Sequence, residues 1–122
     1  MLKASVMIIE KNGLFLAITR GHESEQIGFP GGKSEEGEST KETAIRECFE
    51  ETGFLVSDCS ELFTDVVNGD TKFETTCFIA NKFSGALKES EEGKVFWAQK
   101  ELFLTNSPFA SYNKKVFDFL NV

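Results

Sequence analysis

Between Ser39 and Gly53 the chain reads Ser-Thr-Lys-Glu-Thr-Ala-Ile-Arg-Glu-Cys-Phe-Glu-Glu-Thr-Gly, and no other segment constrains the fold as tightly. Ser39, with Glu42 three residues on, forms a capping box: hydroxyl and carboxylate take up backbone N–H groups that a helix start leaves unpaired. No Gly or Pro follows until Gly53, which stands where the left-handed residue closing a helix would fall. The pattern predicts a helix over about residues 40–52. Ala44, Ile45, Cys48 and Thr52 share one side at helical spacing, and this is the face expected to be buried.

The flanking segments supply something for that face to rest on. Val6-Met7-Ile8-Ile9, the turn signal Asn12-Gly13 and Leu14-Phe15-Leu16-Ala17-Ile18 predict a β-hairpin within the first twenty residues. From Gly21 to Glu38 the chain reads as a long shaped loop containing Gly28, Pro30, Gly31, Gly32 and Gly37. Leu62–Val67, Asn68-Gly69 and Phe73–Phe83 predict a second hairpin, and Val95-Phe96-Trp97 a short strand. Ser107-Pro108 is an N-cap and first-turn pair for a last helix, in which Tyr112, Val116, Phe119 and Leu120 recur at helical spacing. The order of strands, loop, helix, strands and helix predicts an α/β fold, a mixed sheet packed between helices. At 122 residues, without repeat or linker, residues 1–122 are expected to form a single domain.

Charge narrows the function. Thirteen Lys and Arg against 20 Asp and Glu give a net charge of −7. That balance argues against a nucleic acid polymer or an anionic membrane surface as partner. Cys48, Cys59 and Cys77 form no C-x-x-C pair and read as buried reduced thiols. With no secretory signal pattern and no apolar run of membrane-spanning length, a cytoplasmic location is expected.

The predicted helix has a second face. Glu47, Glu50 and Glu51 stand at i, i+3 and i+4, within an arc of about 100°. Like charges so placed repel by about 0.2–0.5 kcal/mol per pair. The face is either a tolerated, solvated acidic stripe or a site. Upstream, the Gly-rich segment brings backbone groups within reach of a ligand. Hard divalent cations such as Mg²⁺ take carboxylate and carbonyl oxygens, hold phosphate oxygens and help generate hydroxide from water. Arg46 is four residues from both Glu42 and Glu50, and either pins a glutamate or forms a surface ion pair.

Gly32, five residues, Glu38, seven residues, then Arg46-Glu47-Cys48-Phe49-Glu50-Glu51-Thr52-Gly53-Phe54 resembles the Nudix box, G-x5-E-x7-R-E-U-x-E-E-x-G-U, over residues 32–54. Every charged and glycine position agrees. Cys48 stands where the family usually has an aliphatic residue, and a buried Cys packs as a small hydrophobe. The resemblance implies a Nudix-type α/β/α sandwich whose loop–helix–loop motif binds metal. It implies a phosphoanhydride hydrolase that uses Mg²⁺ or Mn²⁺ on a small-molecule nucleotide; whether the chain is a monomer or a homodimer stays open. Carried onto this chain, Glu47, Glu50 and Glu51 resemble metal ligands, with Glu47 also the candidate base, and the Gly32 carbonyl resembles a further ligand. Arg46 would orient the glutamates, and Glu38 would shape the loop.

The flanks are similar to MutT-type nucleoside triphosphate pyrophosphohydrolases. Phe29-Pro30-Gly31-Gly32-Lys33 matches the approach to the box there, and His22 stands seven residues before Phe29 as a histidine does in that branch. Phe109-Ala110-Ser111-Tyr112-Asn113 resembles a segment whose Asn reads the base. Asn113 is then either a base reader or a polar residue on the exposed face of the last helix. Arg20, Phe29 and Lys33 are the other expected substrate contacts, Lys33 being either a phosphate contact or solvated. Glu91 or Glu92 would be an extra metal ligand or base, or a solvated loop charge. The proline of many ADP-ribose hydrolases and the tyrosine of diadenosine polyphosphate hydrolases are missing downstream of the box. The expected reaction is hydrolysis of a nucleoside triphosphate to monophosphate and pyrophosphate. ADP-ribose, a dinucleoside polyphosphate or a nucleotide sugar is the alternative substrate, and a non-catalytic nucleotide-binding module the alternative role. A phosphate-binding P-loop fits worse, because Gly28 to Gly32 leaves three intervening residues where that loop needs four.

Overall fold

Met7-Ile8-Ile9 and Phe15-Leu16-Ala17-Ile18 are apolar without alternation. Consecutive side chains of a strand face opposite ways, so such runs need cover on both faces of a sheet. The computed structural model of the chain, which describes residues 2–19, 27–68, 72–88, 94–105 and 109–122, meets that need. Its elements are β1 (Leu2–Ile8), β2 (Glu10–Lys11), β3 (Leu14–Thr19), β4 (Ile27–Gly28), β5 (Gly31–Lys33), α1 (Thr40–Thr52), β6 (Phe54–Asn68), β7 (Lys72–Gly85), β8 (Val95–Ala98), α2 (Lys100–Phe103) and α3 (Ala110–Leu120). Two sheets form, one in the order β5-β1-β7-β6 and one in which β3 pairs with β2, β4 and β8. The first is mixed, since β1 runs parallel to β7 while its other pairs are antiparallel.

Neighbouring residues of one strand serve two different cores. Met7, Ile9, Leu16 and Phe78 pack with Ala44 and Cys48 of α1. Ile8, Phe15, Ala17 and Cys77 pack with Phe103 of α2 and with Val116 and Phe117 of α3. Helices therefore cover both sides of the strands, which is the expected α/β/α arrangement.

Helix α1 starts and stops where the sequence predicts. Ser39 accepts from the Glu42 N–H at 3.1 Å, Glu42 accepts from the Ser39 N–H at 3.0 Å, and Gly53 ends the helix at φ 85°. Its buried residues are Thr43, Ala44, Cys48 and Thr52, with Ile45 only partly buried.

Four expectations need correction. The first hairpin is confined to Glu10–Lys11 against Leu14–Phe15, because β5 and β7 occupy both edges of β1. The stretch read as a loop contains β4 and β5, and Gly31 lets β5 lie against β1: a Cβ there would sit 2.2 Å from the Ser5 carbonyl oxygen. The second hairpin is longer than its apolar pattern indicates. Pairing starts at Phe54↔Gly85 and crosses register shifts that accommodate the polar segment 57–61. On α3, Phe119 is 51% exposed, and Asn113 and Phe117 are the buried residues beside Val116. The short helix α2 carries no pattern that sequence reading would separate from a loop. Ser107-Pro108 and the Gly69 half of the second turn lie outside the described residues.

Candidate active site

The site is built along one face of α1 and on the segment 31–38 that precedes it. Arg46 is its hub. Its Nε donates to Glu38 Oε2 at 2.7 Å and its Nη2 to Glu38 Oε1 at 3.0 Å, a two-point pairing of guanidinium with carboxylate. Nη1 donates to Glu47 Oε1 at 2.9 Å and to Glu50 Oε2 at 3.3 Å, and Nη2 reaches the Lys33 carbonyl at 3.2 Å. One side chain, 23% exposed, thereby spans the loop and two of the three predicted glutamates. Arg46 is thus bonded to Glu38 before the helix as well as to Glu47 and Glu50 on it.

Glu38 sits in a turn and accepts four donors. Besides the guanidinium, the Glu35 N–H donates to it at 3.0 Å and the Thr43 hydroxyl at 2.7 Å. These donors, Arg46 first, hold its carboxyl at about 2, below the ordinary 4.5. The same contact raises the affinity of Arg46 for its proton.

The remaining glutamates meet the backbone of β5. Glu51 Oε1 accepts from the Gly31 N–H at 2.8 Å. Glu47 lies against Gly32 so closely that a Cβ on Gly32 would stand 2.5 Å from Glu47 Cδ and 2.8 Å from its Oε2. Glu50 is the most open, with its side chain 56% exposed. Among the described residues, no three carboxylate, imidazole or thiol groups converge as ready-made ligands of one ion. The donor set is nevertheless one of hard oxygens on one helix face beside loop carbonyls. That chemistry fits Mg²⁺ or Mn²⁺, which keep several waters and do not need a closed protein cage.

Across β5 from the carboxylates lies an open cavity of about 320 Å³. Gly31, Gly32 and Lys33 form one wall, Ala4, Ser5 and Val6 of β1 the floor, and Phe73, Thr75, Phe109, Tyr112 and Asn113 much of the rest. The Lys33 ammonium lies 5.2 Å from the centre of the Phe73 ring. Phe29 lines the cavity, but most of its surface is core, stacked on Phe103 at 4.4 Å between ring centres. Asn113 is 1% exposed and not on the open face of α3. Its Nδ2 donates to the carbonyls of Ile27 at 3.2 Å and Phe103 at 2.9 Å. With the amide nitrogen so engaged, its carbonyl oxygen is the atom it has left to offer a ligand.

The residues singled out from sequence thus fall into two groups. Gly32, Glu38, Arg46, Glu47, Glu50 and Glu51 lie along one face of α1 and the segment before it, while Phe29, Lys33 and Asn113 line the cavity. Arg20, His22, Glu91 and Glu92 lie outside the described residues. Sequence reasoning missed Thr43, whose buried hydroxyl no apolar pattern reveals, and Phe73 and Thr75, which only strand pairing brings to Gly32.

The Nudix domain model matches residues 1–118. The chain belongs to the Nudix family. A Nudix relative in Bacillus subtilis (strain 168), the uncharacterized Nudix hydrolase YvcI, is 35% identical over 98 residues, covering 75% of this chain and 61% of that relative. The chain thus spans less than two thirds of that relative's length. Among solved structures, a MutT protein from Bacillus halodurans is 28% identical with a TM-score of 0.78, covering 97% of this chain and 80% of that one. A MutT protein from Methanosarcina mazei Go1 is 25% identical with a TM-score of 0.80, covering 98% and 94%.

Proposed function

We propose that this Nudix chain hydrolyses the phosphoanhydride bond of a nucleoside triphosphate, releasing nucleoside monophosphate and pyrophosphate, with Mg²⁺ or Mn²⁺ as cofactor. One observation carries the reading: β5 is a shared wall, with Gly31 and Gly32 touching Glu51 and Glu47 on one side and lining the apolar cavity on the other. A substrate with an apolar, planar end and a polyphosphate end fits across such a wall. Likeness to proteins named MutT supports the choice of a triphosphate.

The roles follow from position. The cavity takes the nucleoside, with aromatic and aliphatic side chains against the base and the Asn113 carbonyl oxygen accepting from a base N–H. Lys33, held over Phe73 at the cavity mouth, contacts phosphate. Glu47, Glu50, Glu51 and the Gly32 carbonyl hold the cation. Glu47, fixed by Arg46 on one oxygen and placed at Gly32 by the other, takes the proton of the attacking water. A bound divalent cation supplies Lewis acidity toward the phosphate oxygens and the water.

The test is release of pyrophosphate and phosphate with Mg²⁺ over canonical and oxidised dNTPs, ADP-ribose, diadenosine polyphosphates and a nucleotide sugar. Pyrophosphate release from one triphosphate above the rest is expected. Turnover confined to ADP-ribose or a dinucleotide would overturn the substrate assignment and leave the metal site standing. Binding without turnover of any of them, with Mn²⁺ also tried, would favour a binding module.

A further inference from the structure

Thr43 has a fully buried side chain on α1, three residues before Arg46. Its Oγ1 lies 2.6 Å from Ser34 Oγ, 2.7 Å from Glu38 Oε1 and 3.0 Å from the Ser39 carbonyl. A threonine hydroxyl has one proton. The carboxylate is the strongest acceptor of the three, so the proton goes to Glu38, and Ser34 in turn donates to Thr43. The bonds then run from Ser34 through Thr43 to Glu38, and Glu38 receives the two-point contact of Arg46.

Both ends of this chain bear on the segment that follows Gly32. The Ser34 N–H is tied to the Lys3 carbonyl at 2.9 Å and its hydroxyl to Thr43, while the Lys33 carbonyl takes Arg46 Nη2 at 3.2 Å. A β-branched residue lowers helix propensity relative to alanine, and a buried hydroxyl must find partners. A helix needing only to pack beside Ala44 has no use for Thr43; a helix that must fix Glu38 and Ser34 does.

We propose that Thr43 is a positioning residue for the cation site. Through Glu38 it sets Arg46, and hence Glu47 and Glu50; through Ser34 it sets the backbone beside Gly32. The proposal rests on the assignment of Glu47, Glu50 and Glu51 as metal ligands.

The experiment measures Mn²⁺ binding by loss of the free-ion paramagnetic resonance signal, alongside thermal unfolding without metal and Mg²⁺ activation of hydrolysis. Thr43→Val keeps the shape and removes the hydroxyl, and is expected to weaken Mn²⁺ binding about tenfold, as loss of an outer-shell partner does. The Mg²⁺ needed for half activation rises by a similar factor. Thr43→Ser restores binding to near the wild-type value, and Ser34→Ala weakens it less than Thr43→Val.

Thr52→Val is the control. Thr52 is also fully buried on α1, but its hydroxyl serves the Cys48 carbonyl and the Phe54 N–H. That variant is expected to lower the melting temperature and keep wild-type Mn²⁺ affinity. Wild-type affinity in Thr43→Val, or equal weakening in Thr52→Val, would overturn the proposal; if Thr43→Val does not fold, wild-type affinity in Ser34→Ala overturns it instead. Equal Mn²⁺ binding by wild type and Glu50→Gln would overturn the ligand assignment itself, and this proposal with it.

Discussion

The two sides of β5 differ in how they are made. On the carboxylate side, Gly32, Glu38, Arg46, Glu47 and Glu51 come from 23 consecutive residues, 32–54 with the capped helix at their centre. Their contacts are short and charge-assisted. On the cavity side, the lining comes from β1, β4, β5, β7 and the start of α3, and few of its atoms are polar. The charged side offsets its own repulsion because Arg46 hydrogen-bonds three carboxylates at once and lies 3.7 Å from a fourth, Glu35. Each of these contacts is a charge-assisted hydrogen bond that sets an opposite charge against the like-charged helix pairs. The charged cluster is thus assembled locally, and the cavity lining is assembled by the tertiary fold.

Substitutions on the two sides should therefore separate turnover from recognition. The largest effect is expected for Glu47→Gln, with kcat falling at least about 10²-fold and KM for the nucleotide little changed. Steady-state kinetics at saturating Mg²⁺ check this; a KM effect without a kcat effect would erase the distinction between the two sides.

Next is Asn113→Leu. It removes the donor that Asn113 supplies to the Ile27 and Phe103 carbonyls, at a cost of about 1–3 kcal/mol read from chemical denaturation. In the fraction that folds, KM is expected to rise and base preference to relax while kcat holds.

A smaller effect concerns acid. The Glu38 carboxyl titrates at about 2 when folded against 4.5 ordinarily, so it binds fewer protons folded than unfolded over that range. Its stabilising contribution is full above pH 4.5 and declines as pH falls toward 2. The gap in melting temperature between wild type and Glu38→Gln should narrow over that window, and a constant gap would contradict the ion pair as its source.

The smallest effect is expected for Tyr112→Phe. The Tyr112 hydroxyl is buried without a well-directed hydrogen-bond partner, and the Cys77 thiol beside it is a weak one. Burial pushes Tyr112 above its ordinary range and Cys77 up to about 12. Removing the hydroxyl should be neutral or stabilising by up to about 1 kcal/mol in thermal unfolding. A clear loss of stability would mean that the hydroxyl is satisfied and that the cavity wall is more polar than it looks.

What could be read in advance tracks sequence distance. Ser39, Glu42 and Gly53 mark α1 because capping bonds join residues three or four apart. Glu47, Glu50 and Glu51 share a face for the same reason. Asn113 was readable as a polar residue on a helix but not as a buried one, because the carbonyls it serves belong to Ile27 and Phe103. Phe119 shows the converse: helical spacing places it with the apolar stripe, yet it covers Phe63 from outside, 4.4 Å between ring centres, and stays half exposed.

By itself the sequence determined the helix, its charged face and the need for cover on both sides of the strands, since caps, helical periodicity and unbroken apolar runs act over a few residues. The tertiary structure decided that β1 runs parallel to β7, that two glycines of β5 stand between carboxylates and cavity, and which atom of Asn113 remains for a ligand. Those features depend on pairing between residues as far apart as Ser5, Gly32 and Thr76, and no local preference encodes which distant edge a strand will find.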